Sequence, residues 1–297
     1  MSEQAYLDLC KTILEQGEVR HTRNGTTRSI FGAQLRFDLR EGFPLLTTKK
    51  MFYRGIVEEL LWFLRGQTDN RILKEKGVHI WDGNTTREYL DGRGLTTYPA
   101  DECGPIYGYQ WRRFNATYQG RDTSIQQIST EPPEVDQVKE VIRLLRDDPT
   151  SRRIILSGWN PQQLRAMCLE PCHVLYQFYV DAEGGLRCSM YQRSADFFLG
   201  VPFNIASCAL LTSILADISG LKPREVIISF GDAHIYEEHA DVVRTQLTRT
   251  PYPYPTLRLK QSGIGTLDID DYLARVTAED FVVEKYTSHP ALKARMM

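Results

Sequence analysis

One cysteine stands among residue types that together could attack a polar, anionic, ring-shaped substrate. Cys172 lies in the segment 169–173, and the segments 191–196 and 199–204 follow it closely. These segments supply a guanidinium, a carboxylate and an amide, a set suited to covalent catalysis on a charged heterocycle. A lone free cysteine is often only a small buried hydrophobe. The residue types that follow Cys172 favour the catalytic interpretation.

The candidate nucleophile needs a neighbour that favours its anion, because the thiolate is the attacking form. Arg193 is the best candidate if the segments that carry Arg193 and Cys172 meet. His173 is the alternative, although adjacent side chains in a strand point to opposite faces.

Two further groups could bind a phosphorylated sugar. Arg152 and Arg153 precede an apolar strand pattern, where they could clamp a phosphate in bidentate fashion or shield a solvated strand edge. Asp232, His234 and Tyr236 occupy alternate positions, so in a strand they share one face. That row could bind a sugar hydroxyl or form a satisfied core network. The residues alone leave the alternatives for the two arginines open, whereas a His-x-Tyr pair is more often part of a core network.

Other chemistries have little support. Cys168, Cys172, His173 and His234 lack the ligand spacing of a zinc site, so no metal is expected. The chain has no Gly-x-Gly-x-x-Gly, Walker or Gly-x-Ser-x-Gly motif, which disfavours dinucleotide, P-loop and serine-hydrolase enzymes. The cluster 109–114 mixes bases with aromatic rings as RNA contacts do. Core packing is the preferred explanation, so a binding-only RNA protein is the weakest hypothesis.

The composition is that of a soluble globular protein: 297 residues, 42% hydrophobic, 25% charged, with a formal charge of −2. The balanced charge disfavours a general nucleic-acid binder. Six cysteines without paired spacing, and a charged N-terminus unlike a signal peptide, predict a reduced, cytoplasmic protein. The apolar stretch 205–221 is interrupted by polar residues, so we expect a buried core helix and no membrane span.

Apolar periodicity predicts helices and clustered strands. We expect helices over 1–16, 56–64, 138–146 and 205–219, and strands over 27–39, 153–159, 174–180, 186–193 and 226–230. Residues 181–185 indicate a hairpin turn, while 116–137 and 250–255 indicate a surface loop and an extended connector. Clustered strands with one long buried helix between them favour an α+β fold, with a single domain over 1–297.

Eight segments, in order, resemble the thymidylate synthase family, and the resemblance covers nearly the whole chain. The segments are FPLLTTK (43–49), ELLWF (59–63), IWD (80–82), GPIYG (104–108), EPCH (170–173), YQRS (191–194), GVPFNIAS (200–207) and GDAHIY (231–236). Each one alone is weakly specific, and eight in this order are highly specific.

The resemblance implies a large mixed sheet packed by helices, with one sheet face forming a homodimer interface. It implies conversion of dUMP to dTMP with 5,10-methylenetetrahydrofolate, a co-substrate that gives up both a carbon and a hydride. Cys172 would add to C6 of the uracil ring, and Asn204 would read the ring edge. Glu59 would serve ordered-water proton transfers, and Tyr107 would help to remove the C5 proton.

The resemblance also implies three sets of site residues. The catalytic set is Cys172, Glu59, Tyr107, Arg193, Asp196 and Asn204. The dUMP-binding set is Arg23, His173, Gln192, Arg193, Ser194, Asn204, His234 and Tyr236, joined by Arg152 and Arg153 from the other subunit. The folate-binding set is Lys49, Ile80, Trp81, Asp196, Leu199, Gly200 and Phe203. Within these sets, Asp196 would contact the pterin, Lys49 the glutamate tail, and His234 and Tyr236 the ribose 3′-hydroxyl.

Two departures from the family pattern bear on the reaction. The phosphate loop, 23–28, and the C-terminal tail, 290–297, are both slightly shorter than the family pattern. In the family the tail closes over bound cofactor, and such closure excludes water. A site that admits water to an exocyclic methylene intermediate would give a hydroxymethyl pyrimidine. The alternative activity is therefore that of a dUMP 5-hydroxymethylase.

Overall fold

The computed structural model describes residues 3–121, 134–261 and 268–296. Within them the helices are α1 Glu3–Gln16, α2 Tyr53–Leu64, α3 Arg71–Glu75, α4 Arg87–Gly92, α5 Tyr107–Arg113, α6 Gln137–Asp147, α7 Gly200–Ile218, α8 Ala240–Leu247 and α9 Ile269–Arg275. The strands are β1 Glu18–Thr22, β2 Gly25–Asp38, β3 Ile155–Ser157, β4 His173–Val180, β5 Gly185–Asp196, β6 Lys222–Tyr236, β7 Thr256–Leu259 and β8 Phe281–Glu284.

Six strands form one mixed sheet in the order β1-β2-β6-β5-β4-β3, and β7 pairs with β8. Neighbours in the large sheet are antiparallel except β5 and β6, which are parallel. Parallel neighbours need a long crossover, and α7 is that crossover. By length and composition α7 could span a membrane, but 83% of its most apolar window is buried inside the fold. The helix is therefore the centre of the core, as its sequence predicts.

The inward-facing positions of β6 change at Gly231. Val226, Ile228 and Phe230 are buried before it, whereas Ala233 and Ile235 are buried after it. A Cβ at Gly231 would lie 2.8 Å from the carbonyl oxygen of Arg193 on the neighbouring strand β5. A side chain at this position would therefore clash with that strand. This reversal turns the last polar residues of β6 away from the helix-packed core.

Most of the predicted elements are confirmed, with changed lengths. The predicted strand 153–159 is reduced to β3, and the predicted strand 226–230 is the middle of the much longer β6. Helices α3, α4, α5, α8 and α9 and strands β1, β7 and β8 were not predicted. Most of the predicted loop 116–137 falls at 122–133, outside the described residues.

A buried carboxylate anchors α1 to the segment that leads into α2. Glu3 is 1% exposed. Its two oxygens accept the backbone N–H groups of Thr47 and Thr48 at 2.7 and 2.8 Å, and both threonine hydroxyls as well. The Thr48 hydroxyl in turn accepts from Gln246 at 2.8 Å. One side chain thus satisfies four donors that have no access to water.

Replacement Glu3→Ala is expected to lower the free energy of unfolding by about 3 kcal/mol or more, because buried donors left without a partner cost about 1–3 kcal/mol each. Urea denaturation measures the change. Glu15→Ala removes an exposed carboxylate from the same helix and should change stability by less than about 0.5 kcal/mol. Equal losses in the two variants would contradict this assignment.

Candidate active site

Cys172 precedes β4 and is held by neighbours on both sides. Its carbonyl accepts the Arg193 backbone N–H at 2.9 Å, and its own N–H donates to the Tyr107 hydroxyl oxygen at 2.6 Å. The other five cysteines are buried, whereas Cys172 is partly exposed. Among the cysteines it is therefore the thiol that a ligand can reach.

Two groups favour the Cys172 thiolate and burial opposes it. The Arg193 charge and a hydrogen bond from Tyr107 both lower the pKa of the thiol, but desolvation by burial is larger and leaves the pKa raised. Arg193 therefore favours the thiolate, as expected for a neighbouring cation, but its effect is smaller than that of desolvation. Because the thiolate is the attacking form, attack by Cys172 requires removal of the thiol proton.

The Arg193 side chain also clamps the backbone before the thiol. Its Nε donates to the Pro171 carbonyl at 2.9 Å, and its Nη2 donates to the Glu170 carbonyl at 2.8 Å. The guanidinium lies 5.4 Å from the centre of the Trp159 ring, within the range of a cation–π contact. Arg193 thus places positive charge beside Cys172 and fixes the segment that carries it.

An amide beside the thiol has a defined orientation. The Gln192 Nε2 donates to the Ser194 backbone carbonyl at 3.0 Å and to Asn204 Oδ1 at 2.9 Å. Because a carbonyl can only accept, the Gln192 atom must be the NH₂ group, and the Asn204 atom facing it must be oxygen. Beyond this bond Asn204 has one further lone pair on Oδ1 and two N–H donors, which His173 and a ligand can share. That acceptor and donor match one edge of a pyrimidine.

His173 lies between the thiol and this amide as a neutral group. It is buried, and its Nδ1 is 3.0 Å from the Tyr176 hydroxyl. Burial lowers the pKa of His173 to about 4, with a smaller opposing effect of a hydrogen bond to Asn204. The ring is therefore uncharged at neutral pH and can orient Asn204 without adding a positive charge.

A carboxyl group with a pKa near neutrality lies behind an aromatic wall. Trp81 Nε1 donates to Glu59 Oε1 at 2.8 Å. Burial raises the pKa of Glu59 to about 7, and the Trp81 hydrogen bond lowers it slightly. The Trp81 ring packs edge-to-face on Tyr107 at 6.1 Å, and Tyr107 contacts Cys172. Since a general acid or base works best when its pKa is near the working pH, Glu59 is suited to proton transfer.

Replacement Trp81→Phe is expected to raise the pKa of Glu59 further above about 7. The substitution keeps most of the desolvation but removes the N–H that stabilises the carboxylate. Infrared titration of the carboxyl band measures the shift, with Glu59→Gln subtracted to assign the signal. An unchanged or lower pKa would show that the indole does not stabilise the ionised form.

The turn before α7 is built around Asp196. Its Oδ1 accepts the backbone N–H groups of Phe198 at 2.9 Å and Leu199 at 3.0 Å. The predicted folate residues Leu199, Gly200 and Phe203 follow, all partly exposed, and Ile80 is also partly exposed beside Trp81. These positions are therefore accessible to a ligand.

Lys49 is buried at the same turn. Its ammonium donates to the Phe198 carbonyl and lies 3.9 Å from the centre of the Phe198 ring. Burial lowers the pKa of Lys49, and the nearby Asp196 charge raises it by a smaller amount, so the pKa is about 8. Lys49 thus supports the turn before α7. Its contact with the glutamate tail of the folate stays a prediction.

The end of β6 forms the other side of the site. The His234 and Tyr236 rings are perpendicular with centroids 5.3 Å apart, and the strand register places Asp196 opposite His234 and Ser194 opposite Asp232. The predicted alternation of these side chains on one face is confirmed. Burial raises the pKa of Tyr236, whereas a hydrogen bond with Asn24 and the Arg23 charge lower it. The residues between β1 and β2 therefore face this end of β6.

The segment 23–28, which is expected to contact the substrate phosphate, begins in a tight hairpin. Thr22 pairs with Gly25, which leaves Arg23 and Asn24 as the turn between β1 and β2. Gly25 has a φ of +135°, a conformation that favours glycine. The shorter loop thus keeps Arg23 exposed at the tip, near Tyr236.

Arg152 and Arg153 are not brought to this site within one chain. Both are exposed and directly precede β3, at the opposite edge of the sheet from β1. Five strand spacings separate the two edges, roughly 20 Å or more. One chain therefore cannot place Arg23 and this pair on the same phosphate.

Sequence reasoning missed two contact residues, Trp159 under the Arg193 guanidinium and Tyr176 on His173. The sequence analysis predicted Trp159 and Tyr176 only as parts of strands. No local motif indicates a ring contact between residues that are distant in the chain. Within the described ranges, no group of three or more His, Cys, Asp or Glu side chains could hold a metal ion.

The site as a whole suits an enzyme that bonds covalently to a ring with a donor and an acceptor on one edge. The family described as Thymidylate synthase matches residues 4–297. The thymidylate synthase of Saccharomyces cerevisiae is 48% identical over 305 residues, covering 99% of this chain and 96% of the yeast protein. The Agaricus bisporus thymidylate synthase is 48% identical over 302 residues, covering 99% and 98%. The chain therefore belongs to the thymidylate synthase family.

A longer relative contains the same region. The bifunctional dihydrofolate reductase-thymidylate synthase of Paramecium tetraurelia is 50% identical over 295 residues, which are 99% of this chain and 61% of that protein. The chain thus spans about three-fifths of the bifunctional relative and nearly all of the monofunctional ones.

Proposed function

We infer that this chain transfers a one-carbon unit from 5,10-methylenetetrahydrofolate to C5 of dUMP and reduces it, giving dTMP and dihydrofolate. Family membership over residues 4–297 supports the reaction. The observation that carries it is the accessible Cys172 thiol beside Arg193 and an Asn204 amide whose donor and acceptor match uracil. The alternative, a dUMP hydroxymethylase, is not favoured because the compared relatives are thymidylate synthases.

The chemistry follows from these side chains. The Cys172 thiol gives up its proton to solvent, and its sulfur bonds to C6 of dUMP. The electron pair of the C5–C6 double bond moves toward C5 and O4. C5 then bonds to the methylene carbon as the bond from that carbon to one folate nitrogen breaks. The C5 proton leaves to water as the bond from the methylene carbon to the second folate nitrogen breaks. Tetrahydrofolate is expelled and returns a hydride to the methylene, so it becomes dihydrofolate. The sulfur leaves C6 as the double bond re-forms.

Named residues supply the proton handling and the recognition. Asn204 donates to O4 and accepts from N3–H. Glu59, with a pKa of about 7, exchanges protons with O4 and C5 through water. Tyr107, fixed by the Cys172 N–H, helps to remove the C5 proton. Asp196, Trp81 and the partly exposed residues after Asp196 form the folate side of the site.

The reaction is tested by incubating the protein with dUMP and methylenetetrahydrofolate. We expect dihydrofolate to appear by absorbance and dTMP to appear by mass spectrometry, in equal amounts. Tetrahydrofolate together with 5-hydroxymethyl-dUMP would identify the hydroxymethylase instead. No turnover of dUMP would refute the proposed function.

We further propose a homodimer that shares arginines between its two sites. The sheet face opposite the helices carries large apolar side chains: Tyr179 is 63% exposed, Ile155 44% and Tyr191 39%. The register places Ile155, Tyr179 and Tyr191 on the same face of β3, β4 and β5. A second copy packed on this face would cover them. It would also supply Arg152 and Arg153 to the phosphate that Arg23, Arg193 and Ser194 contact.

Mixing two inactive variants should restore activity. Cys172→Ala removes the nucleophile, and Arg152→Ala/Arg153→Ala removes the shared cations. After unfolding and refolding an equal mixture, half of the dimers are mixed and each has one unimpaired site, so we expect about one quarter of normal activity. Steady-state assays of dihydrofolate formation measure it. Activity that stays at the level of the separate variants would show that each site uses only its own chain.

We also propose a reducing, cytoplasmic location. All six cysteines are free thiols, and the proposed reaction needs Cys172 reduced. Cell fractionation with an antibody against the chain tests this proposal.

A further inference from the structure

Asp232 is held by three elements at the edge of the site. Its Oδ1 accepts the Ser29 hydroxyl at 2.7 Å and lies 3.1 Å from His234 Nδ1. Its Oδ2 accepts from Arg20 Nη1 at 2.6 Å. Ser29 belongs to β2 and Arg20 to β1, so the carboxylate joins the phosphate hairpin to β6. No role for Asp232 follows from the reaction described above.

These contacts determine the protonation of the His234 ring. Two oxygen atoms face its Nδ1, the Asp232 carboxylate at 3.1 Å and the Asp232 backbone carbonyl at 3.3 Å. Both can only accept, so Nδ1 must carry the proton. In the neutral ring Nε2 is then left as a hydrogen-bond acceptor. His234 is 8% exposed, so little freedom remains for the ring to turn.

We propose that Asp232 is a positioning residue that fixes the His234 tautomer, so that Nε2 accepts the 3′-hydroxyl of the bound nucleotide. Arg20 and Ser29 keep the carboxylate ionised and in place for that role. The inference rests on the proposed function, because it takes the nucleotide to be a 2′-deoxynucleotide bound at the end of β6. It adds a residue that acts on ribose recognition through His234 without touching the substrate.

The Asp232 carboxylate itself is stabilised in its charged form. Hydrogen bonds from His234 and Ser29, together with the Arg20 charge, lower its pKa in spite of partial burial. The Arg20 side chain is 53% exposed, so this ion pair is weak by itself. Loss of this ion pair should therefore change the free energy of unfolding little. The main result of altering Asp232 is expected to be a change in the tautomer and orientation of the His234 ring.

The test compares Asp232→Ala with the unaltered protein on two substrates, dUMP and 2′,3′-dideoxy-UMP. The unaltered protein should show a lower KM for dUMP, because only dUMP has the hydroxyl that Nε2 accepts. In Asp232→Ala the KM for dUMP should rise roughly 10-fold, with kcat nearly unchanged and the KM for the dideoxy compound unaffected. Asp38→Asn is the matched control: it alters a carboxylate paired with an arginine at the far end of β2, and both KM values should stay the same.

A second measurement separates positioning from a structural role. Nitrogen-15 NMR should show His234 protonated at Nδ1 in the unaltered protein and shifted toward the Nε2–H form in Asp232→Ala. Asp232→Asn keeps the side-chain shape, so it should shift the His234 tautomer in the same direction by a smaller amount. This variant replaces Asp232→Ala if the alanine variant fails to fold.

Three results would overturn the inference: equal loss on both substrates, an unchanged KM for dUMP, or no discrimination by the unaltered protein. None of these would affect dTMP formation from dUMP, which the dihydrofolate assay tests separately.

Discussion

Replacement Cys172→Ala is expected to lower kcat by on the order of 10⁴-fold or more, because the covalent route is lost and no other cysteine reaches the ligand. The other five thiols are buried, so none can substitute. Binding of dUMP should remain largely intact, since Arg193 and Asn204 keep their positions through contacts with the Glu170 and Pro171 carbonyls and with Gln192. Single-turnover assays and equilibrium binding of dUMP measure the two quantities.

The control for this prediction is Cys188→Ala, which removes a fully buried thiol on β5. It should leave kcat within a few-fold of normal, with a small loss of stability from the shortened side chain. If Cys172→Ala retained a tenth of normal turnover, another group would have to be the nucleophile.

Replacement Asn204→Asp is expected to reverse the base preference. Uracil offers a donor at N3 and an acceptor at O4, which the oriented amide complements. A carboxylate has no donor for O4 and repels it, whereas it can accept from the exocyclic amine of cytosine. A site that leaves such groups mispaired rejects its substrate by on the order of 10⁴-fold. We expect a loss of that size in kcat/KM for dUMP and a gain for dCMP.

The comparison variant is Asn204→Ala, which should lose activity on dUMP without gaining any on dCMP. Measuring kcat/KM for both nucleotides in all three proteins gives the result. A similar loss in the aspartate and alanine variants, with no change of preference, would show that Asn204 does not read the ring edge.

Local patterns in the sequence predict those elements whose side chains alternate or repeat along one chain segment. Helix α2 and strands β4 and β5 follow directly from apolar periodicity, and the alternate residues of Asp232, His234 and Tyr236 correctly predict one shared face. The length of β6 could not be predicted, because its second half is polar where it lines the site. Its apolar period also shifts at Gly231, which hides the continuation of the strand.

Contacts between distant segments could not be read from the sequence. The orientation of Asn204 depends on Gln192 and on a backbone carbonyl, and no spacing rule links these groups. The pKa of Cys172 shows the same limit. Arg193 can be identified in the sequence as a cation that lowers this pKa, but the larger effect of desolvation can be recognised only from the burial of the thiol in the structure. Lys49 shows the same limit, since no local pattern indicates that its side chain is buried against Phe198.

The most direct test is intact-protein mass spectrometry with methylenetetrahydrofolate and a dUMP that carries fluorine at C5. Fluorine cannot leave as the C5 proton does, so a sulfur bonded to C6 should stay trapped. We expect a mass increase equal to one nucleotide plus one folate, located by digestion to the peptide that contains Cys172. An unmodified protein, or an adduct on any other residue, would contradict it.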